Sequence, residues 1–277
     1  MRAMLPDRLS APPRVALAAM LPVLFEVGGL PVPTHEFFIG VGLLAAVVVF
    51  VFEARRRGRW DDDLWVVVTG ALLGGGIFAR VGTGIRYLAE APDPSFTGML
   101  TQAGRSVLGG LAGAYLGAIV AKKLIGYRRS TGDFFAPAIA IGMAIGRIGC
   151  FLTEQIGTTT SLPWGVTVSP EQAATMPFCP QCDSGVPMHP SFLYEIGFHL
   201  TAFVLIMRWR HDRLYDGKLF GMYVTAYAVC RFFLEYVRGN PPLWWGLSGS
   251  QIFLMLSAST LLGAALVRIG MRRVAPA

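Results

Sequence analysis

Charge is scarce in this 277-residue chain. Asp, Glu, Lys and Arg make up 15% of it, against 53% hydrophobic residues, whereas a soluble domain carries about 25% charged residues. The mean hydropathy is +0.52. That balance excludes an ordinary soluble domain and leaves an integral membrane protein. Cations are absent altogether over one long stretch: no Lys or Arg occurs between Thr153 and Glu195. Elsewhere the basic residues gather in four short groups. These are Arg55, Arg56, Arg57 and Arg59; Lys122, Lys123, Arg128 and Arg129; Arg208, Arg210, Arg213 and Lys218; and Arg268, Arg272 and Arg273. Such alternation is how cytoplasmic Lys and Arg orient membrane helices. The net charge of +7 therefore does not mark a nucleic-acid partner, which would need one continuous basic face.

A membrane span takes roughly 20 apolar residues. Seven segments fit between the basic groups: 36–53, 64–84, 105–121, 134–153, 191–207, 218–237 and 249–267. The expected fold is an all-α integral membrane protein of about seven transmembrane helices. Its N-terminus is outside and its C-terminus cytoplasmic, since an odd number of spans ends on opposite sides. Residues 1–35 are read as an outer, interfacial N-terminal arm. Residues 36–270 are the seven-helix membrane domain, including a small extracytoplasmic cap at 154–190, and 271–277 are a cytoplasmic tail. The apolar run 14–32 goes to the arm because Pro22, Glu26, Gly28-Gly29 and Pro31 break or charge it. It carries no small-residue cleavage site. There is no internal repeat and no appended soluble domain.

Glycine, by contrast, is plentiful on three spans. Gly74, Gly75 and Gly76, then Gly109, Gly110, Gly113 and Gly117, then Gly142, Gly146 and Gly149 are expected to let helices approach closely, because packing drives association inside a membrane. Cysteine and histidine number four each. Cys150 and Cys230 lie in apolar helices, where thiols act as small hydrophobes. Cys179 and Cys182 form a C-x-x-C in the cap. An oxidising exterior favours a local disulfide there; zinc would want four ligands, and only His189 offers a third. His199 is expected as a satisfied core histidine. His35 opens the first span from outside, either as a general base near neutral pH or as an interfacial polar residue.

Ionisable groups inside or at the mouth of a span are expensive and mark sites. The stretch Met188-His189-Pro190-Ser191-Phe192-Leu193-Tyr194-Glu195-Ile196 places two of them at the head of an apolar run. Arg80 lies near the end of the second span and Arg147 within the fourth. Arg231, Glu235 and Arg238 follow at i, i+4 and i+7 on one helical face. Four arginines set against two or three carboxylates leave spare positive charge, which an anionic ligand would take up; guanidinium groups suit phosphate through paired hydrogen bonds. Two structural readings stand beside this one, a static Arg231–Glu235 pair within one helix and an Arg147–Glu195 lock between helices.

These residues resemble a known family. Gly146-Arg147-Ile148-Gly149-Cys150-Phe151-Leu152, followed by Leu162-Pro163-Trp164-Gly165-Val166, looks like the signature region of prolipoprotein diacylglyceryl transferases. His189-Pro190-Ser191-Phe192-Leu193-Tyr194-Glu195 and Arg231-Phe232-Phe233-Leu234-Glu235-Tyr236-Val237-Arg238 are similar to two further blocks. Gly76 to Arg80, Ser106 to Leu111, Asp133 with Pro137, and Gly249 to Ile252 follow in order, so the likeness runs from about residue 33 to the last span.

The resemblance implies a multi-pass enzyme of the bacterial cytoplasmic (inner) membrane. It would transfer the diacylglyceryl group of phosphatidylglycerol to the lipobox cysteine in the signal peptide of a preprolipoprotein, releasing glycerol phosphate. It implies no cofactor and no metal. Arg147, Arg231, Glu235 and His35 would be the catalytic set. Arg80, Glu195, Arg238, Gly149, Cys150, His189 and Tyr194 would bind substrate, Glu195 bracing the site and His189 fixing the cap. The departures are specific. The histidine many relatives have before the Gly109-Gly110 pair is Leu108, a tyrosine at the start of the first span is replaced by His35 or Phe37, and an asparagine of the Gly-Arg-x-Gly-Asn pattern is Cys150. They keep open a differently specific paralogue that only binds or transports an anionic phospholipid.

Overall fold

A computed structural model describes residues 15–16, 21–101, 106–154, 157–170 and 185–260. The Cys179/Cys182 pair, the basic group from Arg268 onward and the tail 271–277 lie outside the described residues. The chain divides into two units, Met1–Phe50 with Gly132–Ala277, and Val51–Thr131.

Helices dominate. In chain order they are α1 (Thr34–Arg56), α2 (Asp62–Glu90), α3 (Phe96–Thr101), α4 (Val107–Leu124), α5 (Gly132–Thr153), α6 (Ser191–Trp209), α7 (Leu219–Arg238) and α8, whose described part is residues 249–260. Each of the seven expected spans is helical over its described residues, apart from Ser106 and Lys218, which precede the first turns of α4 and α7. Among them five are long and apolar enough to cross a membrane: α1, α2 as far as Ile85, α4, α5 and α6. The chain is a multi-pass membrane protein. In α7, Arg231, Glu235 and three tyrosines dilute the apolar face, and α8 is described over only twelve positions (249 to 260).

The second unit is built on α2 and α4. Asp61 caps α2, its carboxylate accepting from the Leu64 amide at 2.8 Å, and Asp62 and Asp63 in the first turn favour the positive helix end. Past the expected boundary at residue 84, α2 continues to Glu90. It stops at Ala91, which is extended (φ −73°, ψ 140°) because the following Pro92 disfavours helical backbone before it. The short α3 then forms between α2 and α4. The glycines do what their spacing suggests: a side chain on Gly74, Gly113 or Gly117 would run into the backbone of the opposite helix.

In the first unit α5, α6 and α7 enclose a core of Ala136, Ala140, Ile206, Leu219 and Tyr223. The head of α7 is tied to α5 by Asp133, whose carboxylate accepts from the Gly217 amide at 2.6 Å and the Leu219 amide at 3.1 Å. At its other end α7 closes on Gly239 in the left-handed region (φ 79°), the usual glycine stop. The head of α1 packs on α5 through glycine: a methyl group on Gly42 would stand 2.7 Å from the Gly142 carbonyl oxygen. Gly146 faces open space, so of the expected Gly142–Gly146 pair only Gly142 is sterically constrained.

The all-α expectation needs one amendment, since two small sheets occur. Val23–Val27 pairs antiparallel with Leu30–Pro33 around Gly28-Gly29, whose φ values of 58° and 79° are those a two-residue hairpin turn demands. Val15–Ala16 pairs parallel with Val166–Thr167. Met188 bridges to Val166 and Thr159, closing the described part of the cap segment.

Candidate active site

Ionisable residues from four helices meet in the first unit. Glu195 on α6 is the hub. Only 1% exposed, it faces Arg147 Nε at 2.6 Å, Arg238 Nη1 at 2.7 Å and Arg231 Nε at 3.9 Å. A carboxylate so buried persists as an anion only when cations and donors surround it. The Arg147 Nε–H is not aimed at Glu195, so their contact is ionic rather than a directed hydrogen bond. The Arg147 Nη groups reach Tyr227 Oη at 3.4 Å and Cys150 Sγ at 3.7 Å. Both contacts are long, which leaves these N–H groups free to turn toward a ligand.

Arg231 pairs with Glu235 one turn along α7. Glu235 is fixed from its other side: Asn240 Nδ2 donates to Oε1 at 2.6 Å and Ser248 Oγ at 2.7 Å. Gln251, at the head of α8, in turn accepts from the Ser248 amide at 2.9 Å. Arg238 lies over the buried Phe192 ring, 4.4 Å from its centroid, an attractive cation–π placement.

A second cluster adjoins the first. His35 Nε2 stands 3.2 Å from Glu154 Oε1, and Glu154 Oε2 is 3.8 Å from Arg238. Burial pushes the Glu154 carboxyl up, but hydrogen bonding to His35 and Cys150 and the charge of Arg238 outweigh it and hold it below its ordinary range. Gly149 makes this meeting possible. A methyl group there would come within 3.0 Å of Phe38 Cβ and 3.2 Å of His35 Cα. Gly149→Ala is accordingly expected to lose about 1–3 kcal/mol of stability by overpacking and to draw His35 away from Cys150. Thermal unfolding in detergent checks this, and an unchanged midpoint would contradict the packing.

Of the residues singled out from sequence, Arg147, Gly149, Cys150, Glu195, Arg231, Glu235, Arg238 and His35 belong to these two clusters. Cys150 is not simply a small hydrophobe, since a guanidinium and an imidazole flank it. His189 and Tyr194 stand at the cap, where Tyr194 Oη accepts from Trp164 Nε1 at 2.9 Å and meets His189 Nδ1 at 3.2 Å. Arg80 is half-buried on α2 in the second unit. Within the first unit Arg147, Arg231 and Arg238 face Glu154, Glu195 and Glu235, three against three. His199 is also only half satisfied: Nδ1 meets Tyr223 Oη at 3.0 Å, while Nε2 has no partner among the described residues.

Sequence reasoning missed Tyr227, Asn240 and Ser248. Tyr227 carried a signal, because Tyr223, Tyr227, Arg231 and Glu235 recur every four residues along one face of α7. Asn240 and Ser248 sit in a turn, where no periodicity points.

Fold and site together define a multi-pass helical membrane protein with a buried arginine–carboxylate cluster. The sequence profile of the prolipoprotein diacylglyceryl transferases matches residues 22–272, and the chain belongs to that family. It is similar to the phosphatidylglycerol–prolipoprotein diacylglyceryl transferase of Rhodococcus jostii, with 30% identity over 78% of this chain and 64% of that protein. The enzyme of the same name from Frankia alni is 30% identical over 90% of this chain and 65% of its own length. That from Clostridium tetani is 28% identical over 80% and 87%. The chain thus spans slightly under two thirds of the first and second of these relatives and most of the third.

Proposed function

We propose that this chain transfers the diacylglyceryl group of phosphatidylglycerol to the lipobox cysteine thiol of a preprolipoprotein, in the cytoplasmic membrane of a bacterium. The sharing of Glu195 by three arginines, two of them buried, carries the reading. The acceptor sulfur attacks the glycerol carbon that bears the phosphate ester. A C–S bond forms, the C–O bond breaks, and its electron pair leaves on the phosphate oxygen as glycerol phosphate.

Charge therefore grows on phosphate oxygens in the transition state, and preorganised donors aimed there lower the barrier most. Arg147 supplies its loosely held Nη groups. Arg231 supplies donors oriented by Glu235, and Glu195 keeps both guanidinium groups at one depth. Arg238, Gly149 and Cys150 serve substrate binding, while His189 and Tyr194 fix the cap beside the entrance of α6. The acceptor thiol is activated at the cluster of His35, Cys150 and Glu154.

The topology that suits this chemistry has seven spans with the N-terminal arm and cap outside. Arg55 and Arg56 close α1, Lys122 and Lys123 close α4, and Arg208 closes α6, which supports one cytoplasmic side. Full-length protein in lipid nanodiscs with phosphatidylglycerol and a lipobox peptide should yield the thioether-linked diacylglyceryl peptide by mass spectrometry. Bound lipid with an unmodified peptide would sink the transferase reading in favour of a lipid-binding paralogue.

A further inference from the structure

Three metal-ligating side chains converge where the head of α1 meets the end of α5. His35, Cys150 and Glu154 offer a ring nitrogen, a sulfur and a carboxylate oxygen that all lie within 4.8 Å of one another. Ligands of a tetrahedral zinc ion stand roughly 3.4–3.6 Å apart, given the usual Zn–N, Zn–O and Zn–S lengths. His35 Nε2 and Glu154 Oε1 are already 3.2 Å apart, so small side-chain rotations would complete the geometry.

Three further observations favour an ion over a chance cluster. The other ring nitrogen of His35, Nδ1, faces Glu36 Oε1 at 3.7 Å. Metal-bound histidines commonly donate the ring N–H away from the ion to a carboxylate, and a small rotation of the exposed Glu36 side chain would bring it into hydrogen-bond range. The site is also closed on one side and open on the other: Cys150 is 8% exposed, whereas the His35 and Glu154 side chains are 30% and 41% exposed. Three protein ligands with an open fourth position is the arrangement of catalytic zinc. The third observation is electrostatic. With the six charged side chains of the neighbouring cluster cancelling, two anions, a phosphodiester and an acceptor thiolate, must still enter together. A dication held by a Cys150 thiolate adds one net positive charge where the thiolate arrives.

We propose that His35, Cys150 and Glu154 bind zinc, and that the fourth position of the ion takes the acceptor thiol as a zinc-bound thiolate. The role assigned to the fourth position and the electrostatic argument rest on the transferase reading; the ligand geometry does not. On binding, the S–H proton passes to water at the exposed Glu154 side. The sulfur then forms the C–S bond as the C–O bond breaks, and the ion keeps its charge throughout. This site departs from the metal-free enzyme that the family resemblance implies. Cys150 is the deciding residue, because the asparagine of the family pattern would bring no thiolate.

Full-length protein in detergent, stripped with a chelator and titrated with cobalt(II), tests the site without reference to activity. One cobalt per chain and a thiolate-to-cobalt charge-transfer band, displaced by zinc, are expected. Cys150→Asn should abolish the band, and Glu36→Gln should weaken metal affinity about 10–100-fold, each with an unchanged unfolding midpoint. Glu154→Gln, at an exposed position, gives a second ligand variant whose affinity must fall as well. A wild-type protein without the band, or a band that survives Cys150→Asn, overturns the proposal. Thioether formation that persists in chelator also overturns it while leaving the transferase reading standing. Cobalt bound with no transfer of diacylglyceryl sustains the site and removes the transferase reading instead.

Discussion

Replacing Glu195 with glutamine is expected to lower stability by about 3–5 kcal/mol, the loss that follows when one partner of a buried ion cluster is removed. The substitution keeps shape and volume, so the effect isolates charge. Arg147 and Arg231 are 5% and 6% exposed, and Glu195 is the carboxylate they share with Arg238. Without it, three guanidinium groups on α5 and α7 repel one another at one depth. Only Arg231 retains a full carboxylate partner, Glu235, while Arg238 keeps the distant Glu154 oxygen at 3.8 Å. Denaturant or thermal unfolding in detergent measures the loss. A decrease below about 1 kcal/mol, the range of solvent-screened surface pairs, would mean that water reaches the cluster and that Glu195 is not its keystone.

Replacing Arg231 with lysine should have the second large effect, and on rate rather than fold. Lysine keeps the charge but loses the planar fork that meets phosphate oxygens in pairs. Glu235 remains anchored by Asn240 and Ser248, so the helix ends stay joined and the unfolding midpoint should move little. The rate of thioether formation should fall about 100- to 1,000-fold, the range for removing one preorganised donor from a developing oxyanion. A variant within tenfold of the parent rate would assign Arg231 to structure instead. The split between kcat and KM sharpens the test. Loss confined to KM would mean that Arg231 holds the lipid equally in ground and transition states.

Much of this protein was legible before any coordinates. Low charge, alternating basic groups and apolar runs gave the membrane class and the positions of seven helical segments, because hydropathy and helical period are local properties of a chain. Charges inside those segments then singled out Arg147, Glu195, Arg231 and Glu235, since a membrane interior penalises unpaired ions. The hairpin at residues 23–33 was less legible. Its apolar residues read as a possible span, and only Gly28-Gly29, turning with positive φ at both positions, makes it two strands.

What the tertiary structure decided is which faces meet. Spacing along α7 showed Arg231, Glu235 and Arg238 on one face, yet not that Arg238 would leave that partnership for Glu195 on α6. Gly149 was read as a packing residue, and what it admits is His35, 115 positions away from Cys150 (150 minus 35). Arg80 lies on the second unit, while Glu154, which sequence reasoning did not single out, joins the three arginines of the first. Helical period fixes neighbours within a turn; the contacts between helices depend on close approaches at Gly42, Gly142 and Gly149, which packing across the bundle selects. The sequence thus determined that buried charges must be paired in this membrane protein, and the fold determined with whom.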